Sequence, residues 1–239
     1  MDQQRISVII PTLNEEAVLP GLIQFLSRQP DVQIIVSDGG SSDQTLDICR
    51  EYGVVTASGP PGRGRQLNRG ASLAQAPVML FLHADSRIGP AFLKELREVI
   101  RAGGRWGCAT LEFDANALFY RCLSRFSNLR ARLLNSCYGD QAIYCRSDFY
   151  RELGGYPDWP LLEDVEFSRR ARLRSGAVIL TSKVTSSSRR FEEHGRWKSL
   201  LLMQRIKLLY TLGVSPQKLS RLYRNKRGVK SANRYSNDD

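Results

Sequence analysis

The sequence predicts an α/β protein with a Rossmann-like half, because its apolar runs end in acids and alternate with helix-like segments. Ile6–Thr12 leads into Leu13-Asn14-Glu15-Glu16, Val32–Ser37 into Asp38-Gly39-Gly40, and Val78–Leu82 into His83-Ala84-Asp85-Ser86. A short apolar run that stops at a carboxylate has the form of a buried parallel strand delivering side chains to its C-terminal edge. The helical segments between the runs match right-handed βαβ crossovers. Ligands of such sheets bind beyond the carboxyl ends of the strands where strand order reverses, so the three ends are candidate walls of one site.

Taken in order, the first strand is followed by Pro20, which suits a first helical turn, and by Leu22, Ile23, Phe25 and Leu26 at helical spacing. The second unit repeats this, with Asp38-Gly39-Gly40-Ser41-Ser42-Asp43 opening a helix that runs to about Tyr52. A short strand, Val54–Ala57, then leads into a Gly/Pro loop and a basic helix start, Gly62-Arg63-Gly64-Arg65-Gln66-Leu67-Asn68. No G-x-G-x-x-G follows the first strand and no G-x-x-x-x-G-K-[ST] occurs, so a bound nucleotide must be held in another way.

Beyond Asp85, Pro90–Ala102 reads as a helix and Trp106–Phe113 as a strand. Asn116–Ser136 reads as a helix with Leu118, Cys122, Phe126, Leu129 and Leu133 on one stripe, and Arg121, Arg125 and Arg132 beside it. The stripe is expected to face the core rather than a membrane. Loops rich in Gly, Pro and aromatics, Tyr138–Arg146 and Leu153–Phe167, lead to Glu163 and Asp164 at the start of a helix that ends near Arg174. Acids in a first turn are also what the helix dipole favours, so this pair alone would be a capping feature.

A chain of 239 residues, 42% hydrophobic, is long enough to bury one sizeable core. No leading apolar segment fits a signal peptide and no run approaches the ~18 apolar residues of a membrane span, so a cytosolic protein is expected. Five scattered cysteines without C-x-x-C spacing read as free buried thiols rather than a disulfide framework or a zinc site. The net charge of +11 belongs to the C-terminal quarter, where Arg189 to Arg234 carry 13 Lys and Arg against two acids. Nucleic acid, an anionic membrane surface or a phosphate-bearing substrate would each suit it.

The pieces Val8–Glu16, Asp38–Thr45, Asn68-Arg69-Gly70-Ala71, His83-Ala84-Asp85 and Glu163-Asp164, in this order, resemble family 2 glycosyltransferases. The resemblance covers residues 5 to about 190. It implies the GT-A nucleotide-diphosphosugar transferase fold, a Rossmann-like mixed sheet flanked by helices, here followed by C-terminal helices. Gly62–Asn68, His83-Ala84-Asp85 in place of Asp-x-Asp, and Arg189–Gly195 look like a compact bacterial subgroup associated with radical-SAM proteins and arsenosugar biosynthesis.

The resemblance further implies a nucleotide site of Pro11, Thr12, Asn14, Glu15, Asp38 and Gly39, with Asp38 accepting from the base and Arg65 and Asn68 beside ribose and diphosphate. Asp85 would ligate Mn²⁺ or Mg²⁺, a hard cation that completes its shell with substrate phosphate oxygens. His83, where the family often has an acid, would stand near the sugar or ribose or favour Mn²⁺, with Ala84 alongside. Asp164 would be the general base of an inverting transfer, next to Glu163. Gly139, Asp140 and Gln141 would line the acceptor side, Trp159 would stack on sugar or acceptor, and Arg189, Arg190 and His194 would form a lid over the diphosphate.

The expected activity is transfer of a sugar from a nucleotide-diphosphate sugar to a small or lipid-like acceptor. A sugar nucleotidyltransferase would instead need a glycine-rich, lysine-bearing loop after the first strand. A nucleic-acid-binding module is disfavoured because the basic quarter lacks interleaved stacking aromatics. The domain is expected to span 1–213, with a basic helix and a disordered tail over 214–239. Trp197, Leu200, Leu201, Ile206, Leu208, Leu209 and Tyr210, interleaved with Arg196, Lys198, Arg205 and Lys207, suit peripheral contact with the inner face of a membrane, and equally suit packing on the sheet.

Overall fold

The structure, a computed structural model, describes residues 5–227. The chain divides into two compact units, Met1–Ser188 and Arg189–Asp239. The division precedes the expected boundary at 213/214, because α8 (Arg189–His194), α9 (Arg196–Thr211) and α10 (Pro216–Arg227) pack in sequence on one another. The expected disordered tail, beyond Arg227, lies outside the described residues.

Among the described residues the first unit holds an eight-stranded sheet, built from β1 (Ile6–Thr12), β2 (Val32–Asp38), β3 (Val55–Ser58), β4 (Val78–Phe81), β5 (Arg87–Ile88), β6 (Trp106–Phe113), β7 (Tyr144–Arg146) and β8 (Val178–Ser186). Its order is β3-β2-β1-β4-β7-β6-β8-β5. The first four strands are parallel, and β7 inserts antiparallel to both β4 and β6, which makes the sheet mixed. Strand order reverses between β1 and β4, where a crevice is expected.

Side chains of β1 alternate between two cores, as strand geometry requires. Ile6, Val8 and Ile10 pack with Leu22, Ile23 and Leu26 of α1 (Leu19–Ser27) and with Phe92 and Leu96 of α4 (Pro90–Arg101). Ile9 points the other way, toward Leu67 and Ala71 of α3 (Arg63–Ser72), Phe149 of α6 (Ser147–Glu152) and Phe167 of α7 (Glu163–Arg172). Both faces are covered, so the strands read as continuous apolar runs. Truncating Ile9, fully buried, to Ala would cost roughly 2–5 kcal/mol. The second unit, the helix α2 (Thr45–Glu51) between β2 and β3, α5 (Leu118–Leu134) and a single 3-10 turn at Gly139–Gln141 complete the described elements.

Helix α5 departs from expectation. Leu118, Phe126, Leu129 and Leu133 are exposed, and the buried residues are Tyr120, Ser127 and Ala131. Asn128 explains the orientation: its amide donates to Leu111 O at 2.9 Å and its oxygen accepts from Leu111 N–H at 2.8 Å, beside an irregularity in the β6–β8 pairing. The helix thus turns its small and polar face inward to satisfy strand backbone. Periodicity reported the stripe correctly and its covering wrongly.

Cys49, Cys108, Cys137 and Cys145 are buried and free, and Cys122 is half-buried and free. No described helix is long and apolar enough to cross a membrane.

Candidate active site

Parallel pairing sets Thr12 opposite Asp38, so the loops after β1 and β2 leave the sheet side by side. Thr12 Oγ1 donates to Asp38 at 3.0 Å, and the same carboxylate accepts from the N–H groups of Gly40 and Ser41 at 2.7 and 2.8 Å and from the Ser41 hydroxyl. Asp38 is fully buried with both oxygens engaged. Asp38 thereby joins the loops after β1 and β2 into one wall. Asn14, at φ 56°, ties the two loops, accepting from Ser42 N–H at 2.8 Å while its own N–H donates to the Ser41 hydroxyl. Glu15 N–H donates to Thr45 at 2.9 Å. Pro11 is half-buried, and buried Gly39 lies under Gln66, whose amide donates to Thr12 O at 2.8 Å and Ser37 O at 3.0 Å. The six candidates from β1 and β2 thus form one continuous wall.

Of the two candidates on α3, Asn68 bonds the chain itself. Its oxygen accepts from Tyr150 OH at 2.6 Å and Tyr156 N–H at 2.9 Å, and its nitrogen donates to Tyr156 O at 2.8 Å. These bonds fasten α3 to the 153–162 loop. Tyr156 stacks on Phe167 of α7, with ring centroids 4.4 Å apart, and meets Phe81 edge-on, so that loop is held against the sheet. Arg65 is exposed and pairs with Asp158 at 2.6 Å.

The centre lies past β4. Ile9 pairs with Phe81, so His83-Ala84-Asp85 lie alongside the end of β1. Ala84 is buried in the core, a spacer rather than a lining residue. On either side of it, half-buried His83 and half-buried Asp85 face the site. Two further elements converge on His83. From α3, Arg63 Nη2 lies 2.9 Å from His83 Nδ1, and its Nε lies 3.5 Å from Glu163. From the turn before β7, Gly139 N–H donates to Asp164 Oδ2 at 2.7 Å, while Val165 N–H donates to Oδ1 at 2.8 Å. A Cβ added to Gly139 would sit 3.2 Å from His83 Nε2 and 3.3 Å from Asp164 Oδ2. Imidazole and carboxylate therefore flank the same glycine.

Glu163 and Asp164 open α7 after Leu162, whose φ of 67° is uncommon for a branched side chain. Such strain is stored where surrounding packing over-determines the backbone. Glu163 is 5% exposed, and burial together with the neighbouring Asp164 charge pushes its carboxyl up to about 7, against the pull of Arg63. Asp164 is half-buried and each oxygen accepts one of the backbone bonds above, which leaves lone pairs for a proton.

Asp85 makes no hydrogen bond or ion pair in the described structure. Among the described residues no group of three or more His, Cys, Asp or Glu could hold a metal ion alone. A divalent cation fits only as one that Asp85 shares with ligands from a substrate, and His83 is already engaged by Arg63.

Gln141, fully buried, accepts from Arg130 at 2.5 Å and Tyr138 N–H at 3.3 Å, and holds the turn to α5. Asp140 lies half-buried in the same turn, and Trp159 is half-buried on the loop held by Tyr156. Arg189, exposed, belongs to the second unit, as do Arg190 and His194, whose side chains lie outside what the structure describes.

Sequence reading missed Arg63, Gln66 and Tyr156. A signal existed for Arg63: a cation in the first turn of a helix opposes the dipole and so calls for a carboxylate partner, which Glu163 supplies.

The model of the family described as glycosyl transferase family 2 matches residues 7–151. A PGL/p-HBAD biosynthesis glycosyltransferase of Mycobacterium bovis is 32% identical over 185 residues, covering 69% of this chain and 68% of that protein. The crystal structure of TarS 1–349 from S. aureus is similar with a TM-score of 0.62 and 18% identity, over 83% of this chain and 64% of that one. The chain thus spans just under two thirds of that solved structure. Glucosyl-3-phosphoglycerate synthase from Mycobacterium tuberculosis, solved with Mn²⁺, UDP and glucosyl-3-phosphoglycerate, is similar with a TM-score of 0.57 and 22% identity, over 76% of this chain and 70% of that one. The two structural likenesses concern the fold.

Proposed function

Because the chain belongs to glycosyl transferase family 2, we propose that it is an inverting transferase moving a sugar from a nucleotide-diphosphate donor to a hydroxyl or carboxyl of a small or lipid-like acceptor. The observation that carries this reading is the convergence of Asp164, Gly139 and His83 beyond the ends of β1 and β4. The acceptor oxygen attacks the anomeric carbon, the bond from that carbon to the diphosphate oxygen breaks on the opposite face, and Asp164 takes the acceptor proton. One carboxylate suffices, because a nucleoside diphosphate is a good leaving group and needs no second, protonated acid.

The wall of Pro11, Thr12, Asn14, Glu15 and Gly39 receives the nucleoside, and exposed Arg65 reaches the diphosphate. Asp85, with no hydrogen-bond or ion-pair partner among the described residues, would hold Mn²⁺ or Mg²⁺, which neutralises the leaving diphosphate when bound. The Mn²⁺ or Mg²⁺ and UDP named for structures of glucosyl-3-phosphoglycerate synthase support this choice of donor and metal. His83, steered by Arg63, orients toward the sugar. Arg189, Arg190 and His194 are assigned to the diphosphate by resemblance alone. Gly62–Asn68 and His83-Ala84-Asp85 support the arsenosugar-associated subgroup. A cytosolic enzyme with peripheral attachment through the basic second unit suits the exposed Trp197, Leu201 and Leu208 of α9.

The test is incubation with a panel of nucleotide sugars and Mn²⁺, following release of nucleoside diphosphate. Slow release from one donor, abolished in Asp164→Asn, is expected. No release from any donor would remove the reading.

A further inference from the structure

Helix α5 carries its large apolar side chains outward. Leu118, Phe126, Leu129 and Leu133 are 72, 71, 51 and 69% exposed. At the ~100° per residue of an α-helix they fall, with half-buried Cys122, in one arc of about 80°. Arg121, Arg125 and Arg132 form the adjoining row, and the buried Tyr120, Ser127 and Ala131 lie opposite. The helix contains four arginines and no acid. A contiguous apolar row of this size is seldom left uncovered on a soluble protein.

We propose that α5 is a docking face for an anionic phospholipid surface, the leucines and Phe126 entering the interface and the arginine row meeting the headgroups. Charge selects this occupant. Pairing with a second copy through the same face would be isologous and would bring positive rows together with no acid to offset them. An anionic bilayer supplies both an apolar phase and the opposite charge.

The face is joined to the site. Beyond α5 the chain turns through Asn135, at φ 48°, into Tyr138 and Gly139, which holds Asp164. Arg130 stacks 3.4 Å from the Tyr138 ring centroid and donates to Ser136 O at 3.0 Å and to Gln141. A docked α5 sets the acceptor side of the site against lipid, so the acceptor is a hydroxyl or carboxyl carried at the membrane surface. This last step rests on the proposed transferase reading.

The test is co-sedimentation of the full chain with phosphatidylglycerol vesicles and with phosphatidylcholine vesicles, alongside Phe126→Ser/Leu129→Ser and Arg121→Glu/Arg125→Glu. These side chains are exposed, so circular dichroism melts should match the parent. The parent should prefer phosphatidylglycerol, and each double variant should lose at least roughly tenfold in partitioning, since each charge near such a surface counts for about a decade or less. Three results would overturn the proposal: equal binding to both lipids or to neither, variants that sediment like the parent, or a parent dimer in sedimentation velocity that the variants dissolve. Release of nucleoside diphosphate without vesicles should be the same in parent and variants. If the parent docks as described yet releases none, the transferase reading fails while the docking face stands.

Discussion

Replacing Glu163 by Gln should make the protein more stable at alkaline pH and change it little at pH 5. The carboxyl is 5% exposed, sits beside Asp164, and is pushed from the ordinary 4.5 up to about 7. A group whose folded value is raised binds its proton more tightly in the folded state, so for a carboxylic acid stability is lost as pH rises from about 4.5 to about 7 and stays lost above. At 1.36 kcal/mol per unit this amounts to about 3 kcal/mol above pH 7. Glutamine keeps the shape and an oxygen for Arg63, whose Nε lies 3.5 Å away and whose side chain is 34% exposed, so water can serve it too. Urea unfolding at pH 5 and pH 8.5 measures the difference directly. The variant should gain roughly 2–3 kcal/mol over the parent between the two pH values, which for a unit of this size corresponds to roughly 4–12 °C in melting temperature. A parent–variant difference that is the same at both pH values would refute the reasoning, because burial would then not be holding Glu163 in its neutral form.

Asp164→Asn should reduce turnover roughly 10²–10⁴-fold with little change in donor affinity, the signature of a lost general base in steady-state kinetics; parental transfer activity would remove the residue from the mechanism. Asp85→Ala should abolish the Mn²⁺-dependent part of nucleoside diphosphate binding in calorimetry, and equal affinity would take Asp85 out of the metal site. Gly139→Ala should fold normally yet lose roughly tenfold or more in turnover, because the new methyl sits 3.2 and 3.3 Å from His83 and Asp164 and must part them. Unchanged turnover would mean that the two groups need not share that glycine.

How far the sequence reached depended on the range of the physics involved. Apolar runs ending at Thr12, Asp38 and His83-Ala84-Asp85 record strands buried on both faces, and the three ends do lie on adjacent strands β2, β1 and β4. Pro20 and Pro90 marked helix starts, and Glu163 and Asp164 open α7. These are local signals, set by burial pattern, turn chemistry and the helix dipole. Roles that depend on what stands opposite a side chain were decided only by the tertiary structure. Asp38, Asn68 and Gln141, candidates for ligand contact in sequence, each bond protein groups 2 to 88 residues away. The stripe on α5 is visible in the periodicity, but its exposure follows from Asn128 bonding both backbone groups of Leu111. Arg63, His83, Gly139 and Asp164 come from four separate segments. Only the insertion of β7 antiparallel between β4 and β6 brings the turn at Gly139 back to the strand end that carries His83.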